Sequence, residues 1–242
     1  MADALPIAET FVSLQGEGKL TGAPSWFVRL SGCNLRCAWC DTPHASWSPE
    51  QTPRTIASLI DEARAGGVAH AVVTGGEPMM FPGAVALTHA LRDAGLHVTI
   101  ETAGTYPPHG PEAAGAGEPF HADLMSISPK LASSTPTAAL AGEWSARHEQ
   151  RRLNFSALQG LLDAYPCRQL KFVLCGPADL DEIDSVLQRL RGWSPGDILL
   201  MPEGTSAPGR DLTNFAVRAC IQRGWRYCHR LHIELFGHTR GT

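Results

Sequence analysis

Short apolar runs that end in glycine or polar residues recur along this chain, separated by stretches with helical spacing of apolar residues. The runs are WFVRL (26–30), HAVVTGG (70–76), HVTIET (97–102), LMSISPK (124–130), LKFVL (170–174), ILLM (198–201) and LHIEL (231–235). Between them, IASLIDEARAGG (56–67), GAVALTHALRDAG (83–95) and LTNFAVRACIQRG (212–224) carry helical periodicity and a glycine stop. A fourth stretch, DLDEIDSVLQRLRG (179–192), opens on acids and closes on arginines, which suits a helix dipole. Strands and helices alternating in this way predict βαβ units, because parallel strands need crossovers between them. The expected architecture is therefore α/β with a mostly parallel sheet. No domain boundary is visible, so residues 1–242 are expected to form one domain. Two segments break the rhythm: 103–119 reads as a long loop, and 132–165 as one or two peripheral helices without an assigned role.

With 242 residues, 43% of them hydrophobic, the chain is long enough for a substantial core without covalent staples. No run of about 20 apolar residues is present, so no membrane span is expected. The opening MADALPIAETF lacks a basic region followed by an apolar one and does not read as a secretory signal, which makes a reducing cytoplasmic setting the expectation. Net charge is −4, and the densest basic stretches, RHEQRR near 150 and RGWRYCHR near 225, are short. Stable binding to a nucleic-acid backbone needs a positive face, so a small-molecule substrate is expected instead.

Seven cysteines are present, and three of them, Cys33, Cys37 and Cys40, fall within LSGCNLRCAWCDTPHA (30–45). An odd count with one tight cluster favours metal or redox chemistry over a disulfide framework. Cys167, Cys175, Cys220 and Cys228 read as ordinary buried small hydrophobes. Three thiolates can ligate three irons of an iron–sulfur cube and leave the fourth open, whereas an all-cysteine electron-transfer cluster uses four. A zinc site that borrows His44 as fourth ligand is an alternative, and three unligated core cysteines are another.

The chemistry-bearing residues follow predicted strands: Cys33 after 26–30, Thr74 to Glu77 after 70–73, Glu101 and Thr102 after 97–100, and Ser128, Pro129 and Lys130 after 124–127. Parallel sheets bind ligands outside the carboxyl ends of their strands, so these residues are expected on one rim.

CNLRCAWC resembles the cysteine motif of the radical S-adenosylmethionine superfamily, and TGGEP (74–78) is similar to its second signature. The resemblance implies a modified partial (β/α) barrel with a [4Fe-4S] cluster on Cys33, Cys37 and Cys40. It further implies that the open iron chelates S-adenosylmethionine, whose cleavage gives a 5′-deoxyadenosyl radical. The chemistry is then borne by the cofactor, with no catalytic side chain assigned. Trp39, Cys40, Asp41, Gly76 and Glu77 would contact S-adenosylmethionine, Glu77 as an anionic acceptor for its ammonium. Ser128, Pro129 and Lys130, and Met201, Pro202, Glu203 and Gly204, fall where the superfamily completes that pocket.

Within the superfamily, FVSLQGEG (11–18), TGAPSWFVRLSGCN (21–34) and ETAGT (101–105) resemble the 7-carboxy-7-deazaguanine synthases, lyases on the path to queuosine and other 7-deazapurines. That resemblance implies ring contraction of 6-carboxy-5,6,7,8-tetrahydropterin with loss of ammonia, assisted by magnesium. Leu14, Gln15, Gly16 and Glu17 would line the pterin site, with Thr74, Glu101 and His232 also on the substrate side. Arg29 would meet the substrate carboxylate, and Thr42 would ligate magnesium. A reductant such as flavodoxin or ferredoxin, a homodimer and no direct nucleic-acid or membrane partner are implied as well. Plain alternatives stand beside these roles. LQGEG can be a hairpin turn, Arg29 a snorkelling strand arginine, Thr42 a turn starter and His232 a core histidine on a strand. Ala103 stands where the family commonly has asparagine. A glycyl-radical activating enzyme, which shares both signatures, and a non-catalytic zinc module are the rival readings.

Overall fold

The computed structural model describes residues 4–111 and 117–242; residues 112–116, in the middle of the expected loop, and residues 1–3 of the N-terminal stretch lie outside them. The elements run β1 (Ala4–Leu14), β2 (Pro24–Leu30), β3 (Thr52–Thr55), α1 (Ile56–Ala65), β4 (His70–Gly75), α2 (Gly83–Asp93), β5 (His97–Thr102) and β6 (Leu124–Ile127). They continue with α3 (Ala138–Ala141), α4 (Trp144–Arg151), α5 (Phe155–Ala164), β7 (Arg168–Leu174), α6 (Ala178–Gln188), β8 (Ile198–Pro202), α7 (Arg210–Arg223), β9 (Arg226–Tyr227) and α8 (Leu231–Phe236).

All strands join one nine-stranded sheet in the order β3-β1-β2-β4-β5-β6-β7-β8-β9. β1 pairs antiparallel with both β2 and β3, and every pairing from β2 to β9 is parallel. The sheet ends on two different edge strands rather than closing, as a partial barrel requires.

Period-two alternation gives each parallel strand two unlike faces. Ala71 and Val73 of β4, Val98 and Ile100 of β5, and Leu170 and Phe172 of β7 belong to the main core, packed with Leu59 of α1, Leu87 and Leu91 of α2 and Ile183 of α6. Burying each large side chain of this set contributes about 1.5–3 kcal/mol. The intervening positions face the concave side and become polar toward the strand ends: Arg29, Thr74, Glu101, Ser126, Lys171. Side-chain caps hold two of the crossover helices. Thr55 accepts from Ser58 N–H at the start of α1, and Asn154 accepts from Ala157 N–H at the start of α5.

Four expectations need correction. Residues 231–235 alternate like a strand but form α8, whose single buried residue is Ile233; its Leu231 N–H donates to the Gly16 carbonyl at 2.9 Å. The segment 132–165 contains α3, α4 and α5, and α5 is not peripheral, since Leu158, Leu161 and Leu162 sit in the main core. α6 ends at Gln188, before the arginines read as its last turn. Cys220 and Cys228 are buried, but Cys167 and Cys175 are exposed because they flank β7 in the turns at its two ends. Among the described residues no helix is long and apolar enough to cross a membrane.

Candidate active site

The polar ends of the inner face open into a cavity of about 380 Å³, toward the small end of the range for small-molecule sites. Register explains why distant residues meet there. Arg29 of β2 pairs with Thr74 of β4, and Glu101 of β5 pairs with Ser126 of β6. Thr74 Oγ1 donates to Glu101 Oε2 at 3.0 Å, and Gln15 Nε2 donates to Glu101 Oε1 at 3.2 Å. Gln15 Oε1 in turn accepts from Glu17 N–H at 3.1 Å. LQGEG opens the hairpin loop that joins antiparallel β1 and β2, closed by bonds between Gln15 and Gly22 and Ala23, and it also brings Leu14, Gln15 and Glu17 to the cavity.

Of the residues expected in the site, Leu14, Gln15, Glu17, Arg29, Trp39, Asp41, Thr42, Thr74, Gly76, Glu101, Ser128, Lys130, Met201, Glu203 and His232 line the cavity. Cys33, Cys37, Cys40, Gly16, Glu77, Pro129, Pro202 and Gly204 do not. Gly16 lies directly on the His232 ring, where an added Cβ would come within 1.9 Å of Nδ1. Gly204 meets the site through its carbonyl, which accepts from Arg230.

Glu77 needs correction as a ligand-facing acceptor. Fully buried, it uses both oxygens inside the protein: Oε1 accepts from Thr102 Oγ1 at 2.8 Å and Met79 N–H at 3.1 Å, and Oε2 accepts from Ala103 N–H at 2.8 Å. Burial pushes its pKa up, against those hydrogen bonds. The carboxylate thus fastens the end of β4 to the end of β5. The glycine pair before it also serves the backbone. A Cβ on Gly76 would stand 2.1 Å from the Gly32 carbonyl oxygen and 2.5 Å from that of Ala45. Close approach here is to the cysteine loop, which the glycines let settle on the strand ends. Gly76→Ala is therefore expected to lower stability by about 2–3 kcal/mol through overpacking and to reduce iron uptake. Melting and iron content check both, with Gly176→Ala, which meets nothing within 4 Å, as the silent control.

The cysteine loop is held on every side. Gly32 N–H donates to the Ala45 carbonyl, Trp47 Nε1 to the Cys37 carbonyl at 3.0 Å, and Trp39 Nε1 to the Ser133 carbonyl at 3.1 Å. All three thiols are free. Leu35 N–H points at Cys33 Sγ (3.4 Å), and Cys40 Sγ lies 3.1 Å from Ser46 Oγ. Burial, the buried Glu77 and the neighbouring thiols push Cys33 up to about 12; burial and the nearby Cys40 and Asp41 do the same for Cys37, opposed by Lys130. Ligation at neutral pH must then displace their protons. Among the described residues no three His, Cys, Asp or Glu side chains converge on a point where one metal ion could sit. A mononuclear zinc needs such convergence; three thiolates bound to three different irons of a cube do not. His44, the alternative fourth ligand, instead places Nε2 3.3 Å from Glu9 Oε1. The donor set fits a cluster better than a single ion.

Charge is concentrated on the cavity floor. The Lys171 ammonium pairs with Glu17, with side-chain exposures of only 7% and 13%. Arg230 Nε donates to the other Glu17 oxygen at 3.0 Å, while its terminal nitrogens reach Asp41 and the Gly204 carbonyl. Burial opposes both charges in the pair. Glu17 nonetheless stays well below the usual carboxylate range because Lys171 and Arg230 face it, and Glu17 holds Lys171 above the usual lysine value. Burial keeps His232 below the usual histidine value, against the pull of Glu17. Sequence reasoning missed Lys171, Arg230 and Glu9. The available signal was the alternation in RQLKFVL, which puts Lys171 on the inner face while Leu170 and Phe172 enter the core.

A sequence profile of the Radical SAM superfamily matches residues 27–137. A 7-carboxy-7-deazaguanine synthase from Rhodopirellula baltica is 45% identical over 240 residues, covering 99% of this chain and 89% of the relative. This chain belongs to the 7-carboxy-7-deazaguanine synthase family. A synthase of that name from Halobacterium salinarum is likewise 45% identical, covering 99% of this chain and 93% of its own length. In three dimensions the chain resembles the crystal structure of QueE from Escherichia coli, with a TM-score of 0.69, 26% identity and 95% coverage of both chains. Streptococcus suis SuiB bound to S-adenosylmethionine, at TM-score 0.50 and 12% identity over 81% of this chain, shares the fold alone. The synthase family and the mostly parallel partial barrel agree with the sequence reading, and the protein is a radical S-adenosylmethionine enzyme.

Proposed function

We propose that this chain converts 6-carboxy-5,6,7,8-tetrahydropterin to 7-carboxy-7-deazaguanine with release of ammonia, a carbon–nitrogen lyase reaction feeding queuosine or another 7-deazapurine. The observation that carries the proposal is the junction in one cavity of the cysteine-loop residues Trp39, Asp41 and Thr42 with Gln15, Arg29, Thr74, Glu101 and His232. When bound through Cys33, Cys37 and Cys40, a [4Fe-4S] cluster with S-adenosylmethionine supplies the carbon radical that takes hydrogen from substrate C6.

The chain's own residues bind and orient. Glu101, already fixed by Gln15 and Thr74, presents a carboxylate to the donor edge of a pterin ring. Arg29 Nε is held by Glu9 Oε1 at 2.7 Å, which orients the rest of the guanidinium toward the cavity for the substrate carboxylate. Thr42 offers one hard oxygen beside that carboxylate. Magnesium, which keeps waters and substrate oxygens in its shell, needs little more from the protein. Lys130, whose Nζ lies 5.5 Å from the Trp39 ring centroid and donates to Ser128 Oγ, borders the S-adenosylmethionine side with Met201 and Glu203. Leu14, Phe11 and Phe27, the last two stacked at 4.9 Å, wall off water from the reacting carbon. The same reading makes residues 1–242 one functional unit, a cytoplasmic homodimer supplied with electrons by a small carrier.

Anaerobic incubation of reconstituted protein with carboxytetrahydropterin, S-adenosylmethionine, magnesium and a reductant tests the proposal. 7-Carboxy-7-deazaguanine and ammonia are expected. Cleavage of S-adenosylmethionine without that product would overturn the substrate and leave superfamily membership standing. Arg29→Ala is expected to weaken carboxytetrahydropterin about 10- to 100-fold, the loss of one charge-assisted bidentate contact. S-adenosylmethionine affinity should stay nearly unchanged, and separate titrations of the two ligands read the difference.

A further inference from the structure

The short basic stretch near residue 150 has no part in the cavity, yet it lies against the cysteine loop. In α4, Trp144, Arg147 and Arg151 stand at i, i+3 and i+7, on one helical face. Arg36, from within the cysteine motif, reaches the same aromatic ring. Its guanidinium carbon lies 4.1 Å from the Trp144 centroid, with Arg147 at 5.6 Å and Arg151 at 5.9 Å. Stacking on one indole gathers three cations that would otherwise repel one another.

This patch is tied to the loop backbone. Arg36 Nη1 donates to the carbonyls of Cys33 (2.9 Å) and Leu35 (2.7 Å), and Arg151 Nη1 reaches the Asn34 carbonyl at 3.5 Å. Behind it, His148 Nδ1 accepts from Arg36 N–H at 3.1 Å and Nε2 lies 2.9 Å from Ser134 Oγ, locking α4 against the loop. Arg152, which follows the last residue of α4, is consumed by Glu149 and Glu182, and Arg147 is shared with Glu143. Among the described residues, Arg36 and Arg151 have no carboxylate partner. On a chain of net charge −4, this is a local positive field.

We propose that the Arg36–Arg147–Arg151 face around Trp144 is the docking surface for the one-electron donor, a small acidic protein that carries a flavin or an iron–sulfur group. The inference rests on the radical S-adenosylmethionine reading. One electron leaves the docked carrier, which is oxidised, and enters the centre held by the three cysteines, which is reduced. Two features favour an acidic redox protein over a nucleic acid. The cations are anchored on the backbone of residues 33–35, which puts a docked carrier directly against the loop that bears the three thiols. The cavity wall includes Trp39, Asp41 and Thr42 but none of 33–37, so a docked carrier leaves the substrate side free. Opposite charge on the carrier would steer encounter and set a strong salt dependence.

The test uses the reconstituted holoenzyme and a bacterial flavodoxin. Calorimetric titration should give binding that weakens with salt. The double variant R147E/R151E should bind flavodoxin at least about ten-fold more weakly, while R147K/R151K binds like the wild type. With reduced flavodoxin as donor, S-adenosylmethionine cleavage by the charge-reversed variant should show KM for flavodoxin raised by a similar factor at unchanged kcat. With dithionite, which needs no docking, all three proteins should cleave at the same rate. Equal flavodoxin affinity and KM in the charge-reversed variant would overturn the surface. So would selective loss of binding to a single-stranded RNA oligonucleotide with flavodoxin binding intact. If the wild type fails to cleave S-adenosylmethionine even with dithionite, the enzymatic reading has failed instead, and the titration still decides the docking surface.

Discussion

Alanine at any one of Cys33, Cys37 or Cys40 is expected to abolish reductive cleavage of S-adenosylmethionine while leaving the variant protein folded. The expectation of lost chemistry without lost fold follows from where the thiols sit. None belongs to the main core, whose large apolar residues come from strands and helices, and the loop keeps its shape through backbone bonds at Gly32, Ala38 and Cys40 and the indoles of Trp39 and Trp47. Removing one sulfur would delete a proposed cluster ligand and spare those supports. Wild-type protein prepared without oxygen should carry about four irons and about four acid-labile sulfides per chain, and each variant markedly fewer. His44→Ala supplies the contrast. A zinc site using His44 would lose its metal with that change, whereas here His44 stands beside Glu9 and iron content should hold. Zinc at about one per chain in wild type, without sulfide, would contradict the cluster.

The rim was legible in the sequence because a parallel sheet imposes it. Thr74 and Glu101 stand near the carboxyl ends of β4 and β5 and Ser128 directly follows β6, and parallel pairing aligns those ends, so their convergence needed only the strand pattern. β1 was harder to read. Leu5 and Ile7 alternate inward, but a register shift between Ile7 and Glu9 ends that regularity before the strand reaches the cavity. α8 misled for the opposite reason: six residues are too few to display a helical period, and LHIEL alternates by chance. The glycines of TGGEP were recognisable as a site of close approach. Which backbone they approach was set by a loop more than 30 residues upstream, beyond the reach of local pattern. Lys171 was hidden most thoroughly. A lysine inside an apolar strand becomes intelligible only with its partner, and Glu17 lies 154 positions away in the chain.

That pair yields the second large effect. Lys171→Met keeps the aliphatic stem and removes the charge, leaving Glu17 buried with Arg230 as its remaining direct partner. Breaking a buried ion pair by removing one member costs about 3–5 kcal/mol, and the surviving Arg230 contact points to the lower end, about 3 kcal/mol. At roughly 2–4 °C per kcal/mol for a chain of this size, melting should fall by about 6–12 °C. The sign of the pH dependence separates charge from packing. Glu17 is lowered in the folded state, so its contribution is present above the ordinary glutamate pKa of 4.5 and disappears as pH falls toward the depressed value. Lys171 is raised, so its contribution is complete below the ordinary 10.5 and is lost only at higher pH. The difference between wild type and variant should therefore be widest between about pH 5 and pH 10 and narrow on acidification. Melting curves of the metal-free proteins from about pH 2 to pH 8 measure it. A gap that stays constant over that range would assign Lys171 to packing and remove the electrostatic account of the cavity floor.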